Sequence, residues 1–540
     1  MSDTVIENLS NHIREEMPKV MHESLPLVAP FFKEIVATAV GVKRDESSAI
    51  GRAWNVIHLY DAGISGLMKY GSPLGPAMVL GTTTGKMAQM LQFTTAMASN
   101  PFPSALESPH AGSLKRTLQL HYTTGNFSVP VSWMQADALS ATQIKSVARD
   151  IKAVGKLRAM VEATGFHSIP VKDDGSSEYE TKVLGCVSGT PSVSSNVITV
   201  VLNEAYGTIH NFRPGMMIDF VANATNADGG DMVGGLGSYA GSAIRNYTDG
   251  DAATDYVHVM VKSVDYIGRS FTCVGILADG GTIATYVATH GFSTGGSVAV
   301  VEHDYIVTKG CSTYAESGTR PMPTWGLEDW MKSSGRLMGG ASAAEALDVD
   351  SYPQFKSSVT AVNGPLTEDV LNKYVGEYLD AYPGETVDTI ITTNGVTQKH
   401  LQQYGLYNNR QFYDRQGKSL NAKGGWSEVN YEFNGRVLRW IVDPLCVKNR
   451  LYAIKLQGGN IKRYVPPSIS RGDSMVSGDS AGMDGEVQFL APAGGHTGIF
   501  MVARGTSGQV LDILEAPFWQ YQLIAPIDPR GIILKSLTEA

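Results

Sequence analysis

Gly81-Thr82-Thr83-Thr84-Gly85-Lys86 is the segment closest to a phosphate-binding loop. That chemistry needs backbone amides around a phosphate, a lysine upon it and a hydroxyl on magnesium. Three residues separate the glycines where four are required, and Met87 stands where the hydroxyl residue belongs, so metal-bound phosphate chemistry does not follow. Gly235-Leu236-Gly237-Ser238-Tyr239-Ala240 has the spacing of a dinucleotide-binding turn, but Asn223 to Val233 before it is polar and glycine-rich. Without a buried strand there is no βαβ unit to aim a helix at a pyrophosphate, and the segment reads as a loop. Arg471-Gly472-Asp473 carries no meaning without an extracellular setting. The twelve histidines contain no H-E-x-x-H, no G-x-S-x-G elbow occurs, and no cysteine has a recognisable catalytic partner. No pair of carboxylates can be placed in a cleft either. The sequence therefore offers no catalytic residues, no cofactor-binding residues and no metal ligands, and the chain reads as a non-enzyme.

One stretch combines charge with large rings. From Gln402 to Val465 there are eleven basic and four acidic residues, a local balance of +7 in a chain of net charge −9. Arg410, Arg415, Trp426, Arg436 and Arg439 stand among Tyr404, Tyr407, Phe412, Tyr413, Tyr431, Phe433 and Trp440. Arginine mixed with aromatics suits protein–protein hot spots, and it also suits stacking on nucleic-acid bases. Salt bridges within or between subunits are the plainer use of the same charges. A second cationic set, Lys145, Arg149, Lys152 and Lys156, is spaced four, three and four residues apart, which places it on one face of a helix. That face is either a solvated side or a surface turned to another subunit or to DNA.

The elements that position these residues are legible in part. Ile144, Val147, Ile151, Val154 and Val161 form an apolar stripe, with Gly165 as a stop, which predicts a helix from Ala141 to Thr164 of roughly 25 residues and nearly 40 Å. Leu118 to Tyr122 and Asn126 to Val131, separated by Thr123-Thr124-Gly125, predict an extended hairpin. Residues 1 to about 70 read as interrupted amphipathic helices: Leu25, Val28, Phe32, Ile35 and Val36, then Trp54, Ile57 and Leu67, with breaks at Pro18, Pro26 and Pro30. From about 170 to 310 the texture turns to Val, Thr, Gly and Asp with alternation at Tyr256 to Val261, which predicts a small β-barrel or sandwich. Leu366 to Tyr382 reads as a helix with Glu368 and Asp369 in its first turn, and Val387 to Tyr404 as a strand–turn–helix step. From Trp426 onward, strands alternate with Gly- and Pro-rich turns.

Composition limits the function classes. The 540 residues are 43% apolar but only 18% charged, and 58 are glycine. Few charges and many glycines suit a β- and loop-rich chain that buries much of its surface, including against copies of itself. A net charge of −9 and a pI near 5.8 oppose a surface that grips nucleic acid throughout. Cys186, Cys273, Cys311 and Cys446 lie far apart, so neither a disulfide framework nor a zinc site is expected. The start lacks a basic n-region and an apolar h-region, and no run of 18 apolar residues occurs; synthesis in a cytoplasm, with no membrane partner, is the expectation.

The order of these elements resembles the major capsid proteins of tailed double-stranded DNA bacteriophages, which have the Hong Kong 97-like fold. The resemblance rests on the extended pair ending at Val129-Pro130-Val131-Ser132-Trp133, the long helix after Ala141, and Phe212 to Asp219 with Val264-Asp265. It continues through Ile390-Ile391-Thr392 and its helix, Gly424-Gly425-Trp426, Val437 to Val442, Asp443-Pro444 and Arg450 to Ile454. It implies an α+β chain with a helical N-terminal arm at 1–80, an extended E-loop region at 81–134 and the spine helix of a peripheral domain at 135–170. An inserted β-barrel-like domain follows at 171–310, and 311–540 form an axial domain with the return strands of the peripheral domain. It further implies homo-pentamers and homo-hexamers in an icosahedral virion shell. Decoration, scaffolding and portal proteins are the implied partners, and packaged double-stranded DNA is touched weakly and without specificity. Two other classes compete: a nanocompartment shell protein, which shares the fold without so large an insertion, and a β-rich tail-associated hydrolase.

Overall fold

A computed structural model describes residues 13, 16, 20, 24, 31, 39–41, 55–61, 113–119, 121–130, 141–172, 180–194, 197–221, 257–277, 300–308, 325–337, 347–350, 355–381, 387–408, 430–433, 435–456, 459–465, 483–484, 487–489, 501–504 and 510–539. The chain divides into two units. The first comprises residues 1–56, 119–328 and 463–524, and the second 57–118, 329–462 and 525–540.

The longest helix of the first unit is Ala141–His167, 27 residues. Gly165 does not stop it. The last turn is buried, and packing there outweighs glycine's poor helical propensity. The end comes where the Ser168 amide and hydroxyl both donate to the Thr164 carbonyl, at 2.9 and 2.7 Å. Phe166 in that turn packs on Phe31, with ring centroids 4.5 Å apart.

The hairpin expected around Thr123-Thr124-Gly125 is absent. His121–Pro130 is one continuous strand, paired antiparallel with Val510–Pro526 from Gln522↔His121 to Ile513↔Pro130. A ladder to a distant strand has displaced the local turn signal, and Gly125 lies opposite Phe518. Pro517, an awkward residue inside a strand, is in register with Asn126. On the flank away from His121–Pro130, the neighbouring strands pair with Phe518 and Glu515 and leave Pro517 between them. The helical reading of Ile57 is also corrected. Asn55–Asp61 is a strand beside Ser113–Gln119, as its Val56, Ile57 and Tyr60 favour. Ile13, Glu16, Val20 and Ser24 are helical; Leu25, Val28, Phe32, Ile35, Val36, Trp54 and Leu67 lie outside the described residues.

Residues 185–308 build a closed six-stranded barrel. Its order is Val257–Asp265, Ser270–Leu277, Val197–Asn203, Gly185–Ser194, Tyr305–Thr308 and Met217–Val221, which pairs back with the first strand. Alternate residues point inward. Ile198, Val200 and Leu202 meet Val259, Val261, Phe271 and Cys273 in the interior, where Phe212 stacks on Phe271 at 4.5 Å. Closure leaves this sheet without an unpaired edge. Gly207 is required by close approach, because a Cβ there would collide with the Leu184 carbonyl.

The second unit holds a six-stranded mixed sheet in the order Ser358–Gly364, Gly531–Leu537, Leu451–Ile454, Thr389–Thr392, Arg436–Val442 and Asn430–Phe433. The first pair and the Thr389–Thr392/Arg436–Val442 pair are parallel; the rest are antiparallel. Ile390, Leu438, Trp440, Leu451, Ala453, Ile532 and Leu534 form one core with Leu371, Val375, Leu379 and Val396 from two helical segments. One segment runs Glu368–Leu371, through a π-helical stretch Asn372–Gly376, to Glu377–Ala381. Thr367 caps its start by accepting from the Val370 amide at 3.2 Å. The π stretch places the Asn372 amide oxygen 2.6 Å from the Tyr431 hydroxyl, and Gly376 leaves room for the Phe433 ring. The other helix is Asn394–Asn408. Its Thr397 hydroxyl accepts from the Trp440 indole at 3.1 Å, and its His400 ring stacks on Trp440.

The bend between the last two strands is held from outside. Buried Asn460 donates from Nδ2 to the Lys455 and Asp528 carbonyls at 3.0 Å each, and its Oδ1 accepts from the Asp528 amide at 2.7 Å. Its carbonyl accepts from the Ile527 amide at 2.8 Å. Ser357 donates to the Pro529 carbonyl and accepts from the Gly531 amide. Within the bend Arg530 pairs with Asp528 through its guanidinium.

Asn460→Leu removes three side-chain hydrogen bonds and strands partly buried backbone groups of Lys455 and Asp528. It is expected to lower stability by about 2–4 kcal/mol, read as a lower urea midpoint of the secondary-structure signal. His400 supplies a pH dependence. Its Nδ1 bonds the Leu366 carbonyl at 2.8 Å, and burial holds its pKa below the ordinary 6.5, against the opposite pull of that carbonyl and Glu368. The unfolded chain therefore takes up this proton first as pH falls. Stability from this group is whole above pH 6.5 and is lost as pH falls toward the folded value. Melting midpoints of His400→Gln and the parent chain are expected to converge on acidification across that window.

Candidate assembly surfaces

The long helix buries a different line from the one its branched residues suggest. Ile151, Gly155, Ala159, Ala163 and Phe166 are buried, at steps of four and three, whereas Val154 and Val161 are half-buried. Small residues let the helix backbone approach its neighbours closely, so packing selects their line over the Val line. Ile144 and Val147 belong to the helix, but their side chains lie outside the described residues.

This rotation settles where the cations stand. Arg149, Lys152 and Lys156 are exposed together with Ala153 and Leu157, and Leu157 keeps 50% of its surface. Arg149 Nε lies 3.8 Å from Asp150, a loose surface pair that contributes little. Lys145 is in the same helix, its side chain outside the described residues. Arg158, which the sequence pattern does not single out, turns inward with its guanidinium 5.2 Å above the Phe518 ring. Burial lowers its pKa, opposed by Glu162.

Among the described residues, the basic positions of the 402–465 window divide between buried and exposed sites. Arg463 and Arg450 are buried, and Arg463 Nε donates to Gln522 at 3.0 Å. Arg436 donates to the Leu379 carbonyl at 2.9 Å and so satisfies a free carbonyl near the end of the helix Glu377–Ala381. Arg439 is exposed on the strand Arg436–Val442. Arg410, Arg415 and Trp426 lie outside the described residues. The signal for the buried arginine lies in Gln520 and Gln522, two polar residues at a spacing of two in the C-terminal half of a strand that is otherwise apolar or aromatic from Ala516 on.

The barrel presents a second exposed feature at the turn joining Val257–Asp265 to Ser270–Leu277. Asp265 Oδ1 accepts from the Ile267 and Gly268 amides at 3.0 Å each. Arg269 takes a left-handed backbone with φ 53 and pairs with Glu204 at 2.8 Å. Tyr266 stacks on His210 at 5.5 Å and lies under Arg213, which donates to its hydroxyl at 3.1 Å. Upon this support Ile267 stands 94% exposed.

Among the described residues no group of three His, Cys, Asp or Glu is arranged to hold a metal ion. Nor is any helix there long and apolar enough to cross a membrane. Cys186, Cys273 and Cys446 are buried thiols outside any disulfide. Burial, reinforced by Asp304 and Glu302, pushes Cys186 up to about 12, and burial raises Cys273 well above 9.0.

No family model and no curated protein matches the sequence. Structure neighbours are phage capsid proteins and an encapsulin, all distant. The cyanophage A-1(L) capsid is similar at 10% identity and a TM-score of 0.34, over 81% of this chain and 84% of that one. The satellite phage P4 procapsid, with its size determination (Sid) protein, gives 9%, 0.24, 82% and 77%. The SrpI encapsulin of Synechococcus elongatus PCC 7942 gives 10%, 0.20, 34% and 53%.

The three buried cysteines are expected to stay unmodified by a thiol reagent at pH 8 in the native chain and to react in urea. Peptide mass spectrometry reads each site; rapid native labelling of Cys186 would contradict the packing around it.

Proposed function

We propose that the chain is a structural shell protein, the major capsid protein of a tailed double-stranded DNA bacteriophage, acting by self-assembly into pentamers and hexamers. The observation that carries this reading is the succession of elements. An extended strand, His121–Pro130, leads to the 27-residue helix Ala141–His167. A closed barrel follows, then a six-stranded mixed sheet flanked by two helical segments, and the chain returns through Val510–Pro526 to pair with the first strand. Apart from the hairpin, which a single long strand replaces, this succession agrees with the one from which the sequence resembles that capsid family. It supports an α+β architecture of extended loop, spine helix, inserted β-rich domain and axial domain, to which the reading adds an N-terminal arm.

Function on this reading is geometric, with no catalytic step and no cofactor. The same chain meets slightly different neighbours at five-fold and six-fold positions, while its sheets stay rigid. The few charges of the sequence suit repeated burial against copies of itself. The projecting Ile267 turn suits a decorating partner, and the virion is the expected location, with scaffolding and portal proteins as further partners. Contact with packaged DNA is weak on an acidic chain and depends on salt.

Recombinant chain examined by light scattering and negative-stain microscopy is expected to give closed shells, or hollow pentamers and hexamers that convert to shells. A compact monomer or dimer that stays unassembled with scaffold and crowding agents would overturn the reading.

A further inference from the structure

The exposed strip of the long helix is two-sided. At 100° per residue, Arg149, Lys152 and Lys156 line one edge, and Ala153, Leu157 and half-buried Met160 line the other. A purely solvated face has no use for the second edge, and DNA phosphates would leave it in water. Apolar residues bordered by charge are the composition of a protein contact.

The chain itself carries a matching strip. On the helical segment Glu368–Ala381, Leu371, Val375 and Leu379 enter the core, and Glu368, Asp369, Lys373, Glu377 and Asp380 are exposed. The Lys373 ammonium sits 5.1 Å from the ring of Tyr374, beside half-buried Tyr378. This line has four carboxylates to one ammonium, next to tyrosine edges; the other has three cations next to aliphatic side chains. Each strip runs about 17 Å at 1.5 Å per residue. Lys152 and Lys156 make no ion pair among the described residues.

We propose that the Arg149/Lys152/Lys156 face of one subunit docks on the Glu368–Asp380 face of a second copy of this chain. The proposal rests on the shell reading and names one of its contact surfaces. Because the two faces differ, the contact is heterologous, and repetition closes into a ring when the rotation allows. Opposite charges would set the register and speed the encounter, and the apolar edges would hold the contact once formed. Such a contact weakens as salt rises.

Charge reversal tests the pairing in the full-length chain. Lys152→Glu with Lys156→Glu, and separately Glu377→Lys with Asp380→Lys, are each expected to lower the yield of assembled particles at least about tenfold. The quadruple variant, with both faces reversed, is expected to recover assembly, which misfolding would not allow. If every variant assembles like the parent, the pairing is overturned and the shell reading stands. If the lysine variant assembles normally but loses salt-dependent retention of a DNA duplex, the face serves nucleic acid and the pairing is likewise overturned. Loss without recovery in the quadruple variant overturns it too. A parent chain that never assembles removes the shell reading and the pairing together.

Discussion

Asn460 and Ser357 hold the bend between the strands Val510–Pro526 and Gly531–Leu537 by supplying the partners that a sheet would otherwise give its backbone. The constraint reaches far beyond the bend. It fixes the register of Gly531–Leu537, which lies between Leu451–Ile454 and Ser358–Gly364. A slip of one residue would turn Ile532 and Leu534 out of the core and Ile533 into it. The core of the second unit, and with it the helical segment Glu368–Ala381, depends on that register.

Among the described residues the barrel and the six-stranded sheet each carry a buried apolar core. The barrel closes on itself, while the six-stranded sheet buries Ile391, Tyr452 and Ile533 on one face and Ile390, Ala453 and Ile532 on the other. Buried arginines have side-chain partners, Gln522 for Arg463 and Asp528 for Arg530. Exposed charge stands outside these cores, on helix faces at Lys152, Lys156, Glu377 and Asp380 and on strands and turns at Arg439, Glu432 and Arg269. For a protein whose proposed work is repeated contact, that separation keeps recognition independent of folding.

The sequence reveals what local periodicity controls. The 3.6-residue pattern after Ala141 and the strand–turn–helix step after Val387 are visible because their cause lies within a few residues. The alternation at Tyr256 to Val261 is visible for the same reason. Long-range pairing is not. Thr123-Thr124-Gly125 carries an honest turn signal that ten backbone pairings with a strand some 400 residues later override. The buried line of the long helix is hidden in the sequence because branched residues advertise burial more strongly than Gly155 and Ala159, whose value lies in close approach. At the candidate surface, the spacing of Arg149, Lys152 and Lys156 was legible, since a shared helix face follows from arithmetic. Arg436 shows the limit: its place on the Leu379 carbonyl depends on a helix more than fifty residues away.

A rigid subunit that gains contacts only through its exposed faces is the central claim, and amide hydrogen exchange on free and assembled chain tests it most directly. Amides of Thr389–Thr392, Leu451–Ile454 and Ile532–Leu534 are expected to exchange slowly and equally in both states, with new protection on assembly confined to exposed segments such as Arg149–Leu157. Fast exchange of the sheet amides in the free chain, slowed only on assembly, would contradict it, because the sheets would then be products of assembly and not its foundation.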